Sequence, residues 1–283
     1  MTVLVTGSRG RVGSTLLTLL HDRGVPVRAA SAGPAGLVLP AGVAAVRCDL
    51  RDPATFPAAL DGVDSVFLYA EPSHAEAFAA EARAAGVRHV VLLSSSAVLS
   101  PDAEANPIGA SHLAAERALA AAAAGGAFDV TFLRPGAFAT NALQWAPAIT
   151  STGVVDLPHP EAVGDPIHEE DVAEVAYAAL TDDRLRGSTL VLTGPEALTF
   201  TEQLEVLGRV TGRGITVRPV PPEEWKASVA QYVPAEFADA LLDHWSACTT
   251  GPVALTRTVE EVTGRPARTF ARWAADHADA FTG

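Results

Sequence analysis

Lysine is nearly missing from this chain: Lys226 is its one example in 283 residues, far toward the C-terminus. A reaction that needs a lysine in the N-terminal half is therefore excluded. Two cysteines, Cys48 and Cys248, are too few for a disulfide framework and have no neighbour at metal-ligand spacing. No basic run occurs and the formal net charge is −13, which argues against a nucleic-acid backbone or an anionic membrane surface as partner. Arg, Asp and Pro interrupt every apolar stretch before the ~18 residues of a membrane span, and no signal-peptide pattern opens the chain. The expectation is a cytoplasmic protein with a small-molecule substrate and no metal. The oligomeric state stays open, a homodimer included.

What is present is periodic. Short β-branched runs (Val3 to Thr6, Val27 to Ala30, Ala45 to Cys48, Ser65 to Tyr69, His89 to Ser94, Asp129 to Arg134) alternate with helix-like stretches (Val12 to Arg23, Pro53 to Leu60, His74 to Ala85, Ser111 to Ala124). Wholly apolar strands separated by helices require a parallel sheet covered on both faces, and right-handed crossovers make it a doubly wound α/β fold of the Rossmann type. Gly24, Gly62 and Gly86 stand where helices end and a left-handed cap is wanted. After about Trp145 proline and glycine become frequent. A helix then runs from His168 or Glu169 to Leu180, a strand follows from Ser188 to Thr193, and a last helix is predicted from Thr269 to Ala280. The division expected is a dinucleotide-binding domain over 1–150, continued by about 166–194, and a smaller α+β substrate domain from about 151–165 and 195–283.

The glycine loop Thr6-Gly7-Ser8-Arg9-Gly10-Arg11-Val12-Gly13 carries the chemistry. Its first glycine permits a tight turn off a strand, the second a close approach to a pyrophosphate, and the third the packing of the following helix, whose N-terminus attracts phosphate. An NAD site usually has an acid at the end of the second strand. Here the sequence is Arg28-Ala29-Ala30-Ser31, and Arg9, Arg11, Arg28 and Ser31 are candidates for a 2′-phosphate. NADP(H) is favoured, with NAD possible. Asp49, followed by Leu50, is assigned to the adenine, and Asp52 to capping the next helix.

With these residues in view the chain resembles the NmrA-like group of atypical short-chain dehydrogenases/reductases. The resemblance rests on the glycine loop, Cys48-Asp49-Leu50, Gly86 to Ser95, Leu133 to Phe138, Asn141, Asp171-Val172-Ala173 and Leu192 to Pro195. It implies that Leu68, Tyr69, Ala70, Ser94 and Ser95 line the cofactor and that Pro135, Gly136, Ala137 and Phe138 lie near the nicotinamide. It also implies that Ser96, Asn141 and Trp145 face the substrate.

The wider superfamily uses a tyrosine acid with a lysine four residues later. None of Tyr69, Tyr177 and Tyr232 stands four residues before Lys226, so that dyad is absent. His112-Leu113-Ala114-Ala115-Glu116 occupies the matching place, with His112 and Glu116 on one helix face. His112 is the candidate proton donor, or else a hydrogen-bonding partner of the cofactor, with Glu116 a surface or capping group. His159, Asp165, His168 and Asp171 do not read as metal ligands, because Glu169, Glu170 and Asp171 read as the acidic first turn of a helix. Ser94 to Ser96 lack the glycines of a nucleophile elbow. Trp225, Tyr232, Phe237, Trp245 and Trp273 read mostly as core. Two functions fit: an NADPH-dependent reductase of a quinone, imine or conjugated carbonyl, or a non-catalytic NAD(P)(H)-sensing regulator.

Overall fold

The computed structural model describes residues 1–250 and 253–282; Gly251, Pro252 and Gly283, inside the expected second domain, lie outside them. Seven parallel strands form the central sheet: β1 (Val3–Val5), β2 (Val27–Ser31), β3 (Ala44–Arg47), β4 (Ser65–Tyr69), β5 (His89–Leu93), β6 (Asp129–Pro135) and, after the short strands β7 (Val154–Leu157) and β8 (Val163–Gly164), β9 (Thr189–Leu192). Their order is β3-β2-β1-β4-β5-β6-β9. The order reverses between β1 and β4, the switch point beside which open α/β sheets bind ligands at their carboxyl edge.

Helices α1 (Arg11–Asp22), α2 (Phe56–Leu60), α3 (Ala75–Ala84), α4 (Pro107–Ala124), α5 (Ala146–Ser151) and α6 (Glu169–Thr181) follow in chain order. Helix α1 buries Val12, Leu16, Leu17 and Leu20 on one face. It shares a core with α6, Phe67 and Val91 on one side of the sheet. Phe56, Phe78, Leu92 and Leu119 form the core on the other side. Each fully buried leucine or phenylalanine contributes about 1.5–3 kcal/mol from the hydrophobic effect.

Boundaries moved where caps act. Asn106 accepts from the amides of Ile108 and Gly109, so α4 starts a turn before the expected Ser111. Pro53–Thr55 and Pro72–His74 are 3-10 turns ahead of α2 and α3, capped by Asp52 and Glu71. Gly24, Gly62 and Gly86 all adopt left-handed φ.

The C-terminal part adds β10 (Leu198–Thr199), α7 (Phe200–Thr211), β11 (Thr216–Pro219), α8 (Pro222–Val229), α9 (Ala235–Ala247), α10 (Thr258–Thr263), α11 (Phe270–Asp276) and α12 (Asp279–Thr282). The single last helix expected over 269–280 is two, separated by His277 and Ala278. Strands β7 and β11 pair in parallel and β8 and β10 antiparallel. Trp145, Leu207, Phe270, Trp273 and Phe281 share a core there. Tyr232 and Phe237, expected mostly inside, are exposed.

Candidate functional site

The turn after β1 is shaped by contacts on two sides. Gly7 has φ +62°, and a Cβ on it would stand 2.5 Å from the Tyr69 ring; a Cβ on Gly13 would stand 2.5 Å from the Gly7 carbonyl oxygen. Both positions therefore require glycine. The Tyr69 hydroxyl faces the Gly13 amide, and burial raises its pKa. Thr6 and Ser8, assigned above to the cofactor, use their side chains inside the protein. Thr6 Oγ1 donates to the Phe67 carbonyl and accepts from the Tyr69 amide, tying the loop to β4. Ser8 Oγ donates to the Val5 carbonyl and accepts from the Ala30 amide, tying it to β2. What the loop offers a ligand is backbone. Helix α1 has Gly10 as its N-cap, no side-chain capping bond and no acid in its first turn, so its leading amides ahead of Gly13 are open to an anion.

The structure separates the three arginines. Arg9 donates to the carbonyls of Gly33 (2.8 Å) and Ala35 (3.1 Å), and Ser31 Oγ accepts from the Gly33 amide at 3.3 Å. Arg9 and Ser31 thus converge on one short loop. Arg28 does not join them: its guanidinium donates to the Ala59 and Asp61 carbonyls at the end of α2, where cations suit the helix dipole. Arg11 borders a polar cavity of about 230 Å³ with Ser14, Thr15, His168, Glu169 and His277. Asp49 Oδ1 accepts from the Arg51 amide, a turn-forming bond, while Asp52 caps as expected. Leu68, assigned to the cofactor, has its side chain buried in the core with Phe56 and Phe78. Leu50 packs against that core, as does half-buried Ala70.

At the end of β5, Ser94 is buried and its Oγ has no hydrogen-bond partner. Ser95 Oγ accepts from the Ala97 amide and caps the turn that contains Ser96. On α4, His112 has a buried Nδ1 with no partner. Burial lowers its pKa, against an opposing contribution from Glu116, so the imidazole is neutral at neutral pH. Glu116 is neither a surface nor a capping group. It is buried and takes both arms of Arg134, Nε to Oε1 at 2.9 Å and a terminal nitrogen to Oε2 at 2.5 Å. That pair fastens α4, and with it His112, to the end of β6.

Residues 135–138 are braced by backbone: the Gly136 amide donates to the Leu192 carbonyl (2.9 Å), Ile167 to Ala137 (2.8 Å) and Ala139 to Ile167 (2.8 Å). Phe138 pairs with Ile167 as an isolated bridge. Asn141 is exposed in the 3-10 stretch Ala139–Trp145. Trp145, assigned to the substrate, is instead a core residue 6% exposed, edge-on to Phe200 with ring centres 5.6 Å apart. It has little surface left to offer. The acidic start of α6 is engaged with the C-terminal region, Asp171 with Arg268 and Glu169 with His277, while His168 caps the helix.

A helix end without a cap or a carboxylate is open to an anion from outside the chain, and beside the switch point of a parallel sheet a dinucleotide pyrophosphate fits it. Ser94 Oγ and His112 Nδ1, buried and unpartnered within the protein, lie on elements at the same edge. The class is a dinucleotide-binding Rossmann protein. The chain belongs to the NAD(P)H-binding family, whose model matches residues 7–183.

It is 40% identical to the (4-alkanoyl-5-oxo-2,5-dihydrofuran-3-yl)methyl phosphate reductase of Streptomyces griseus over 99% of each chain. It is 34% identical to the NAD(P)H azoreductase of Xenophilus azovorans, again over 99% of each. The triphenylmethane reductase of Citrobacter sp. complexed with NADP(H) has the same fold, with TM-score 0.79 and 22% identity over 98% of this chain and 100% of that one. Together they place the chain in the NmrA-like, atypical short-chain reductase group.

Proposed function

We propose that this chain is an NADPH-dependent reductase of a small electrophilic acceptor, and that the acceptor is a conjugated carbonyl. The observation that carries the reading is the pair of unpartnered buried atoms, Ser94 Oγ and His112 Nδ1, on elements that meet at the carboxyl edge of the sheet. Bound NADPH supplies a hydride from its nicotinamide. The first-turn amides of α1 hold the pyrophosphate, Arg9 and Ser31 the 2′-phosphate, and Asp49 the adenine amino group. Residues 135–138 shape the nicotinamide end and exclude water from it, with Asn141 and Ser96 toward the acceptor.

The histidine sharpens the choice of acceptor. A neutral imidazole is a poor acid but a good N–H donor, so His112 stabilises developing negative charge on an acceptor oxygen. Hydride addition to the β carbon of an alkene conjugated to a carbonyl leaves that charge on an enolate oxygen. An enolate flanked by two carbonyls is a weak base and takes its proton from water. That chemistry suits a site without the tyrosine–lysine dyad. The Streptomyces griseus relative is named for an acceptor of this kind, a 4-alkanoyl-5-oxo-dihydrofuran.

The test follows NADPH absorbance with the purified chain across 2-acyl butenolides, enones, quinones, imines and simple aldehydes. The 2-acyl butenolide should react fastest and the simple aldehyde slowest. His112→Ala should lower kcat about 100-fold with little change in the KM for NADPH, the size expected for one lost oxyanion donor. Failure of every acceptor to oxidise NADPH sinks the enzyme reading and leaves the sensing regulator in its place.

A further inference from the structure

We infer that Asp165 is the positioning residue of the nicotinamide-side loop, fixing through its carboxylate the orientation that hydride transfer requires; this rests on the reductase reading above. Asp165 lies between β8 and α6, ahead of the acidic first turn Glu169 to Asp171 that the sequence alone reads as capping. In the structure it caps nothing. Its Oδ1 accepts from the Ala137 amide at 2.8 Å. Its carboxylate lies so close over Gly136 that a Cβ there would stand 2.0 Å from Oδ2. On the other side of the same segment, a Cβ on Gly194 would stand 2.1 Å from the Pro166 carbonyl oxygen, and the Gly194 amide donates to the Asp165 carbonyl. Asp165 and Pro166 are thus clasped between two glycines that have no room for a side chain.

The placement is selective. The amides of Gly136, Ala139 and Ile167 are all taken up by backbone carbonyls, whereas the Ala137 amide goes to a side chain. Removing that carboxylate leaves the backbone braces in place and frees one amide in the middle of the loop. No Lys or Arg makes an ion pair with Asp165 among the described residues, and burial pushes its pKa up. A carboxyl group kept there against its desolvation is poorly explained by stability, since an apolar residue of similar volume would be cheaper to bury. It is explained by geometry, because an error of about 1 Å at a reacting centre costs about 100-fold in rate.

The experiment compares Asp165→Ala and Asp165→Asn with the unaltered protein, using a 2-acyl butenolide, NADPH and its 4-deuterated form. Asp165→Ala should lower kcat about 100-fold and raise the deuterium isotope effect on kcat, with the Kd for NADPH within about threefold. Asp165→Asn keeps an oxygen acceptor for Ala137 and should stay within about fivefold of the unaltered kcat. Unchanged turnover in Asp165→Ala, or a Kd that weakens in step with kcat, overturns the inference. A second readout needs no turnover: the fluorescence anisotropy decay of bound NADPH should show faster nicotinamide motion in Asp165→Ala than in the other two. Identical decays overturn the inference even if no acceptor reacts, whereas no turnover with distinct decays sinks only the reductase reading. If Asp165→Ala does not fold, Gly136→Ala, whose Cβ displaces the carboxylate, should give the same loss and the same decay.

Discussion

The two ends of the central sheet are made from the same strands and treat polar groups in opposite ways. At the amino end the polar groups are mostly paired, His89 Nδ1 being the exception. Arg88 reaches Asp64 at 2.7 Å, and Asp64 also accepts from the Thr2 amide at 2.7 Å; the Thr2 amide and then Arg88 hold its pKa below the usual carboxylate value. His89 Nε2 meets Thr131 Oγ1 at 2.9 Å, and Thr131 donates its own proton to the Leu185 carbonyl at 2.9 Å. At the carboxyl end Ser94 Oγ and His112 Nδ1 have no partner within the protein, and no N-cap side chain closes the start of α1. Closed circuits hold a fold together, and open ones at buried positions call for a ligand. Unpartnered buried atoms also occur elsewhere, at His89 Nδ1 and Trp273 Nε1, so what marks the site is that Ser94 and His112 lie at the carboxyl end with the glycine loop.

The contrast breaks most sharply at one ion pair, and the largest expected effect lies there. Glu116 and Arg134 are a closed, two-armed pair at the carboxyl end, with side chains 7% and 20% exposed. Glu116→Ala leaves Arg134 without its anion and should cost about 3–5 kcal/mol in denaturant unfolding. A cost below about 1 kcal/mol would show that solvent screens the pair and that α4 is fastened by other contacts.

The next effect tests the amino end. Because Thr131 gives its proton to Leu185, His89 Nε2 carries the proton and Nδ1 is a bare buried acceptor. Burial accordingly lowers the His89 pKa from 6.5 to about 4. The unfolded chain then binds the proton more readily than the folded one. The His89 contribution to stability is full above pH 6.5, falls as the pH drops from 6.5 toward 4, and levels off below, with a loss on the order of 3 kcal/mol. His112 shifts in the same direction, so the amino-end share is read as the difference between the unaltered protein and His89→Gln. Parallel stability curves for the two would refute the assignment.

Legibility followed the same divide between local and distant contacts. Strand and helix positions in the N-terminal half were readable because apolar periodicity is local, as was the glycine loop, where strand, turn and helix are contiguous. Asn106 as a cap and the break near His277 were missed because single capping bonds decide element ends. The site residues that no local pattern shows are those paired across the fold. Arg134 with Glu116, 18 residues apart, and Asp165 with Ala137, 28 apart, are examples. Gly136 was the available signal, since a glycine after Arg134-Pro135 implies that something passes close by. Trp145 was misplaced for the converse reason: an aromatic beside a presumed cleft looks like a wall until its burial against Phe200 is seen.

The smallest effect separates two arginines that look equivalent in sequence. Arg9 holds the Gly33–Ala35 loop through one terminal nitrogen, which leaves its other donors free beside Ser31. Arg28 is committed to the carbonyls that end α2. A charge-assisted bond to a 2′-phosphate contributes about 2 kcal/mol, or roughly 30-fold in affinity. Arg9→Ala should therefore weaken NADPH about 30-fold while leaving NADH within about twofold. Arg28→Ala should leave the ratio of the two unchanged and lower stability by about 1 kcal/mol through its lost helix-end bonds. Titration of both variants with both cofactors gives the ratio directly. If Arg28→Ala collapses the preference and Arg9→Ala does not, the phosphate must lie on the α2 side of β2, and the carboxyl-edge placement of the adenosine end fails with it.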